Sequence, residues 1–189
     1  MGNLILGHAL ATDACRLDSS SDWIALQGPL MGSQTASVVK KVCADPEGAQ
    51  KLPSALLELV GRCPASPAVN ALSPPSANDT DNVQRFSNLV DTYRERVSAA
   101  LCGVSPQGIP TMSSVMFNAA SAISQHTSPN DGVVEWQSCG SHLDDRSWGR
   151  SYESRFYEAK LNHFDGQFRN GDGWFGKDRK PLRWFECLF

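Results

Sequence analysis

Apolar residues recur along this chain with two different rhythms, and the rhythm assigns most of its elements. Residues 3–15 place Leu4, Leu6, Ala9 and Leu10 where one helical face can be buried, with Gly7 allowing close packing. The run Asp22-Trp23-Ile24-Ala25-Leu26 is short and apolar and predicts a buried strand, closed by Gly28-Pro29. A helix is expected over 33–41, capped by Ser33 or Thr35. Val83, Phe86, Leu89, Val90, Tyr93, Val97 and Leu101 follow amphipathic helical spacing, which predicts a helix over 82–101. Met112, Val115, Met116, Ala119, Ala120 and Ile123 give a second such pattern over 111–124. Beyond a turn cluster at 128–132, residues 133–136 read as a short extended piece. Residues 152–161, with Phe156, Tyr157, Ala159 and Leu161, read as a strand. No internal repeat interrupts this alternation.

Short buried strands alternating with helices imply an α/β fold with a mostly parallel sheet. Few strands are visible for such a sheet, whose two faces need covers and whose edges need neighbours. Residues 44–82 differ from their surroundings. Pro46, Pro53, Pro64, Pro67, Pro74 and Pro75 punctuate them, and Leu56, Leu57, Leu59 and Val60 supply a helical turn or two. This stretch is expected to be an insertion on one domain spanning 1–189.

Composition narrows the functional classes. The formal net charge of -3 comes without a basic stripe, so nothing electrostatic favours nucleic acid as a partner. No apolar run approaches the roughly 18–20 residues that span a bilayer, so no transmembrane segment is expected. Residues 3–11 end in Ala-x-Ala like a short signal sequence, but they lack a positive start and carry His8. Gly2 without Ser or Thr at position six, where Leu6 stands, argues against myristoylation. Cys15, Cys43, Cys63, Cys102, Cys139 and Cys187 form no metal-binding spacing; as an even set they suit disulfides, with 15 possible connectivities. Asn78-Asp79-Thr80 is a glycosylation sequon. Cysteines and sequon together lean towards an ancestor in the secretory pathway.

Three short segments carry candidate chemistry. Asn130-Asp131-Gly132-Val133-Val134 is a turn that offers a carboxylate. Leu161-Asn162-His163-Phe164-Asp165-Gly166 places a histidine in a loop directly after a predicted strand. Met1-Gly2-Asn3 opens an apolar helix. Singly, these are an ordinary Asx turn, a loop histidine and a start codon. Their order, however, resembles the C-terminal half of α/β-hydrolases of the serine lipase and esterase kind, in which nucleophile, acid and histidine follow one another along the chain. The segments 130–139 and 165–176, the latter Asp-Gly-Gln-Phe-Arg-Asn-Gly-Asp-Gly-Trp-Phe-Gly, are similar to those around the acid and the histidine in a group of eukaryotic lipase-like α/β-hydrolases. The resemblance covers most of the chain and is weakest over 44–82, which it would make a lid-like insertion.

The resemblance implies that Asp131 orients His163 and that His163 is the general base. It makes Met1 the residue after the nucleophile, contributing its backbone N–H to an oxyanion hole. The expected substrate is an acyl ester or lipid, and no cofactor or metal is called for. No G-x-S-x-G occurs in the chain, and Ser33, Ser37 and Ser138 lack the elbow glycines. The expectation is therefore a fragment that begins one residue after its serine and is inactive alone. The alternative is a non-catalytic module that binds a partner or completes a sheet with a hydrolase N-terminal half. Asn170-Gly171-Asp172-Gly173 has the look of a calcium loop, but Arg169 and Trp174 fall where oxygen ligands belong. His142-Leu143-Asp144-Asp145 reads as a solvated loop rather than a metal or acid–base pair. The aromatic tail, with Trp174, Phe175, Trp184, Phe185 and Phe189, is expected to pack the C-terminal helix and loop onto the sheet.

Overall fold

A computed structural model of the chain describes residues 1–45, 63–126, 129–140, 142–143 and 147–189. The helical turns expected at Leu56–Val60, the pair Asp144 and Asp145, and Ser128 of the turn cluster lie outside the described residues. In chain order the elements are α1 (Gly2–Ala11), β1 (Trp23–Leu26), α2 (Gln34–Cys43), α3 (Pro67–Ala71), α4 (Thr80–Arg96), β2 (Val97–Gly103), α5 (Met112–Ser124), the single turn α6 (Trp136–Cys139), β3 (Trp148–Gly149), β4 (Phe156–Ala159) and α7 (Pro181–Glu186). Four strands form one sheet in the order β1-β2-β4-β3, and every neighbouring pair is parallel. The chain is thus an α/β protein with helices on both faces of a parallel sheet.

The centre of that sheet corrects the sequence reading. The helix expected over 82–101 ends at Arg96, and Val97–Gly103 is the central strand. Nothing marks the change: no Gly or Pro separates Arg96 from Val97, and Val97 and Leu101 continue the helical spacing. A short apolar run buried on both faces has no period of its own, so periodicity cannot separate it from helix. Strand alternation then sorts β2 into two cores. Ala100 packs with Trp23, Ala25, Leu89, Val90 and Tyr93 beneath α1 and α4. Ala99 and Leu101 face Tyr157, Ala159, Leu161 and Trp184 of α7. Gly7 lets α1 sit close, since a Cβ there would lie 3.1 Å from both Leu89 Cγ and the tip of the Trp23 ring.

Other boundaries moved less. α1 stops at Ala11, short of the expected residue 15. Neither Ser33 nor Thr35 caps α2 through its side chain. Ser33 stands at the N-cap but gives its hydroxyl to Val133 O, 2.5 Å away, and Thr35 bonds Ser124 at 2.9 Å. The extended piece at 133–136 is reduced to a bridge between Asn130 and Glu135, and Trp136 begins α6. The expected strand at 152–161 is confined to Phe156–Ala159. Within the stretch 44–82, α3 and the start of α4 are helical. The tail packs only in part: Trp184 is fully buried, whereas Trp174, Phe175 and Phe189 are exposed. Of the six cysteines, Cys43 pairs with Cys63 and Cys102 with Cys139, leaving Cys15 and Cys187 as thiols. No helix among the described residues is long and apolar enough to cross a membrane.

Candidate active site

The carboxyl ends of β2 and β4 meet a turn and a loop that the sequence left far apart. Asp131 begins an Asx turn. Its Oδ1 accepts the backbone N–H groups of Val133 and Val134, at 2.9 and 2.8 Å, while Asn130 Oδ1 accepts that of Gly132 at 2.9 Å. Gly132 holds φ at +97°, which a side chain would strain, and the Asn-Asp-Gly sequence supplies the one residue type at ease there. The Cys102–Cys139 disulfide joins the end of β2 to α6, so the acid turn is tied covalently to the strand beneath it. The acid lies against Gly103, where a Cβ would come within 2.8 Å of Asp131 Cβ.

His163 is set by its own loop. Asn162 Oδ1 accepts the N–H groups of Phe164 and Asp165, both at 3.0 Å. Asp165, fully buried, accepts from Ile109 N at 2.8 Å and Asn170 Nδ2 at 2.7 Å, which clamps this loop to the one leaving β2. Gln27, from the end of β1, donates to Asn162 O at 2.9 Å.

The two residues then meet directly. His163 N donates to Asp131 O at 2.9 Å, and His163 Nδ1 lies 2.7 Å from Asp131 Oδ2. A carboxylate only accepts, so Nδ1 carries the proton and Nε2 is left with its lone pair. Asp131 is 1% exposed by side chain and His163 19%, so the acid is sealed while the imidazole edge reaches solvent. It does so in a cavity of about 280 Å³ lined by His163, Met1, Ser33, Leu72, Val134 and Arg169, among others. Such an arrangement can take a proton from a hydroxyl at Nε2 and stabilise the resulting imidazolium through the fixed carboxylate.

All three residues singled out from sequence, Met1, Asp131 and His163, therefore converge. Met1 lines the same cavity and caps α1, its carbonyl accepting from Leu4 N at 3.0 Å. Two of the three serines set aside in the sequence are committed elsewhere: Ser138 donates to Gly32 O at 2.6 Å from a buried position, and Ser33 to Val133 O. The calcium-like loop is likewise engaged, since Asp172 Oδ1 accepts from Leu182 N and Asn170 binds Asp165. No group of three or more possible metal-ligating side chains occurs among the described residues. Sequence reading missed Arg169, whose guanidinium lies 3.9 Å above the Phe164 ring at the edge of the cavity. It also missed a second histidine–carboxylate pair, His126 with Glu135. Nine residues of spacing across a turn gave no sign of either.

No known family model, curated protein or solved structure matches this chain.

Proposed function

We propose that this chain carries the base and the acid of a serine-type acyl-ester hydrolase related to the α/β-hydrolases. His163 is the general base, Asp131 its orienter, and the backbone N–H of Met1 one half of an oxyanion hole. The nucleophilic serine would come from outside these 189 residues, and the chain by itself would not hydrolyse esters. One observation carries the reading: a buried, doubly anchored carboxylate holds an imidazole at 2.7 Å, at the carboxyl edge of a parallel sheet, with Nε2 left to a cavity that Met1 also lines. The two disulfides suit an oxidising compartment, in keeping with the secretory lean of the sequence.

A serine-directed fluorophosphonate tests it. The 189-residue chain should not be labelled. A polypeptide extended upstream through an in-frame Gly-x-Ser should be, and His163→Ala in that longer form should abolish labelling. Labelling that survives His163→Ala would remove His163 from the chemistry.

A second reading, a sheet-complementing module, has its own support. β1 is an end strand of four residues, bonded to β2 on one side and to no strand on the other among the described residues. Asn3 Nδ2 covers one carbonyl there, Leu26 O, at 3.0 Å. An end strand of this kind can accept a neighbour. A sharp thermal transition of the isolated chain would favour this module, and molten behaviour would count against it.

A further inference from the structure

The His163 cavity does not end at the histidine. Met1 and Leu72 also line a second hollow of about 170 Å³, whose walls are Leu4, Ile5, Phe86 and Leu89 from α1 and α4. The two hollows adjoin, with Met1 and Leu72 in the walls of both; the one beside His163 carries Ser33, Gln167 and Arg169, and the one towards α4 is walled mainly by apolar side chains. Ile5, 65% exposed, leaves an apolar wall open to whatever enters.

At the polar end stands Arg169. Its guanidinium is stacked on Phe164, and Phe164 is in turn held edge-to-face by fully buried Phe117 at 4.8 Å. No carboxylate among the described residues lies within salt-bridge distance of it. Stacking occupies the face of a guanidinium and leaves its in-plane N–H groups pointing outward, the geometry that suits a two-oxygen anion. An oriented cation with no carboxylate partner among the described residues, in the wall of a cavity that borders an apolar hollow, is complementary to a particular shape of molecule.

We propose that the two hollows act as one trough that binds a single-chain anionic amphiphile. The alkyl chain lies between α1 and α4, and an oxyanion, phosphate or carboxylate, is held by Arg169. Resting on the esterase reading above, this makes the substrate an acyl ester whose alcohol half is negatively charged. The trough is also lined by Arg85 and His8 at its far end, and Arg85 Nη2 donates to Asn82 Oδ1 at 2.6 Å. Arg85 is thus the competing anchor, and the test must separate the two.

Calorimetric titration of the 189-residue chain with decyl phosphate, decyl maltoside and inorganic phosphate, below micelle-forming concentrations, does so. Decyl phosphate should bind tightest. Arg169→Gln should weaken it by about tenfold or more, the usual worth of a charge-assisted contact, and leave decyl maltoside unchanged. Ile5→Ser, at an exposed position, should weaken both alkyl probes. The inference is overturned if decyl phosphate and decyl maltoside bind alike, if inorganic phosphate binds as well as decyl phosphate, or if only Arg85→Gln weakens binding. None of these titrations needs a nucleophile. Arg169-dependent binding by the 189-residue chain, with failed fluorophosphonate labelling of the polypeptide extended through Gly-x-Ser, would remove the esterase reading and leave the amphiphile site. Labelling together with Arg169-independent binding would do the reverse.

Discussion

Two histidine–carboxylate pairs stand on either side of the same turn, and they differ in what the second ring nitrogen meets. In His163–Asp131 the carboxylate is sealed, and the ring keeps its Nε2 edge in a cavity. In His126–Glu135 the histidine side chain is wholly buried and the carboxylate is the more exposed partner, at 11%. There Nδ1 donates to Glu135, and Nε2 is 3.2 Å from Thr35 Oγ1, which itself meets Ser124 Oγ at 2.9 Å. With Nδ1 donating, Nε2 of a neutral ring accepts a hydrogen bond from the Thr35 hydroxyl, which in turn accepts from Ser124. Both ring nitrogens of His126 thus meet a protein partner. The pair ties α2, α5 and the segment after the acid turn together. Identical side-chain chemistry thus serves as a fastener where the ring is closed off and as a candidate base where one nitrogen remains open.

The sharpest way to break this comparison is to remove each histidine in turn and follow both folding and chemistry. His126→Ala leaves Glu135 without its imidazole and Thr35 with Ser124 alone, and should cost about 2–4 kcal/mol of stability, through a lost hydrogen bond to a carboxylate and the cavity left by a wholly buried ring. His163→Ala should cost about 1 kcal/mol, because Asp131 keeps its two backbone donors. Urea midpoints of the two variants check the ratio. In the serine-bearing extended form the order should invert: His163→Ala loses labelling, whereas His126→Ala retains it at temperatures where the variant is folded. Equal destabilisation by the two changes would dissolve the distinction.

What the sequence disclosed follows the same line. Asp131 and His163 were legible because each sits in a short, self-contained signal, an Asx turn and a loop closing a strand, and because their order along the chain carries meaning. His126 and Glu135 were not, since their pairing depends on where α5 ends and the turn returns, which no local pattern encodes. The outer elements were readable from local signals: α1 and α5 from their apolar spacing, α2 from its cap candidates, and β1 from a short apolar run closed by Gly28-Pro29. β2 was not: Ala99, Ala100, Leu101 and Cys102 are all buried, so no face distinguishes them. The most central strand was for that reason the least visible. Arg169 lay inside a segment read for its glycines, and only the stack on Phe164 gives it a place.

A smaller effect probes how closely the strand and the acid are matched. Gly103 ends β2 directly beneath the pair. A Cβ there would lie 2.5 Å from Leu161 O, 2.8 Å from Asp131 Cβ and 2.9 Å from Gln27 Nε2. Backbone on one side and a sealed carboxylate on the other leave little room to give. Gly103→Ala should cost about 1–3 kcal/mol, as overpacking does. It should also move Asp131 off His163, seen as loss of the downfield Nδ1–H proton resonance in the NMR spectrum of the folded variant. The His126–Glu135 pair, neither member of which is among the three nearest groups that a Cβ at Gly103 would meet, should keep its own resonance. If both signals survive, the acid is positioned by its turn alone and the strand beneath it is indifferent.

The smallest effect concerns a third histidine, which has no carboxylate partner among the described residues. His142 is partly buried, and its Nε2 has no partner among the described residues. Burial, and then the nearby Arg94 guanidinium, push its pKa below the usual imidazole value, against a hydrogen bond that the ring donates to the Ser138 backbone, which raises it. A histidine whose pKa is lower folded than unfolded protonates first in the unfolded chain. Stability is then unaffected well above the ordinary value of about 6.5 and is lost as pH falls through it, levelling off only once the folded form is protonated too. His142→Gln should remove that part of the slope between neutral and mildly acid pH without changing stability in alkali relative to its own plateau. A variant whose urea midpoint declines with acid as steeply as the parent's would assign the slope to other groups. His142 would then be a bystander, and a histidine here would need a carboxylate beside it before it does anything that depends on pH.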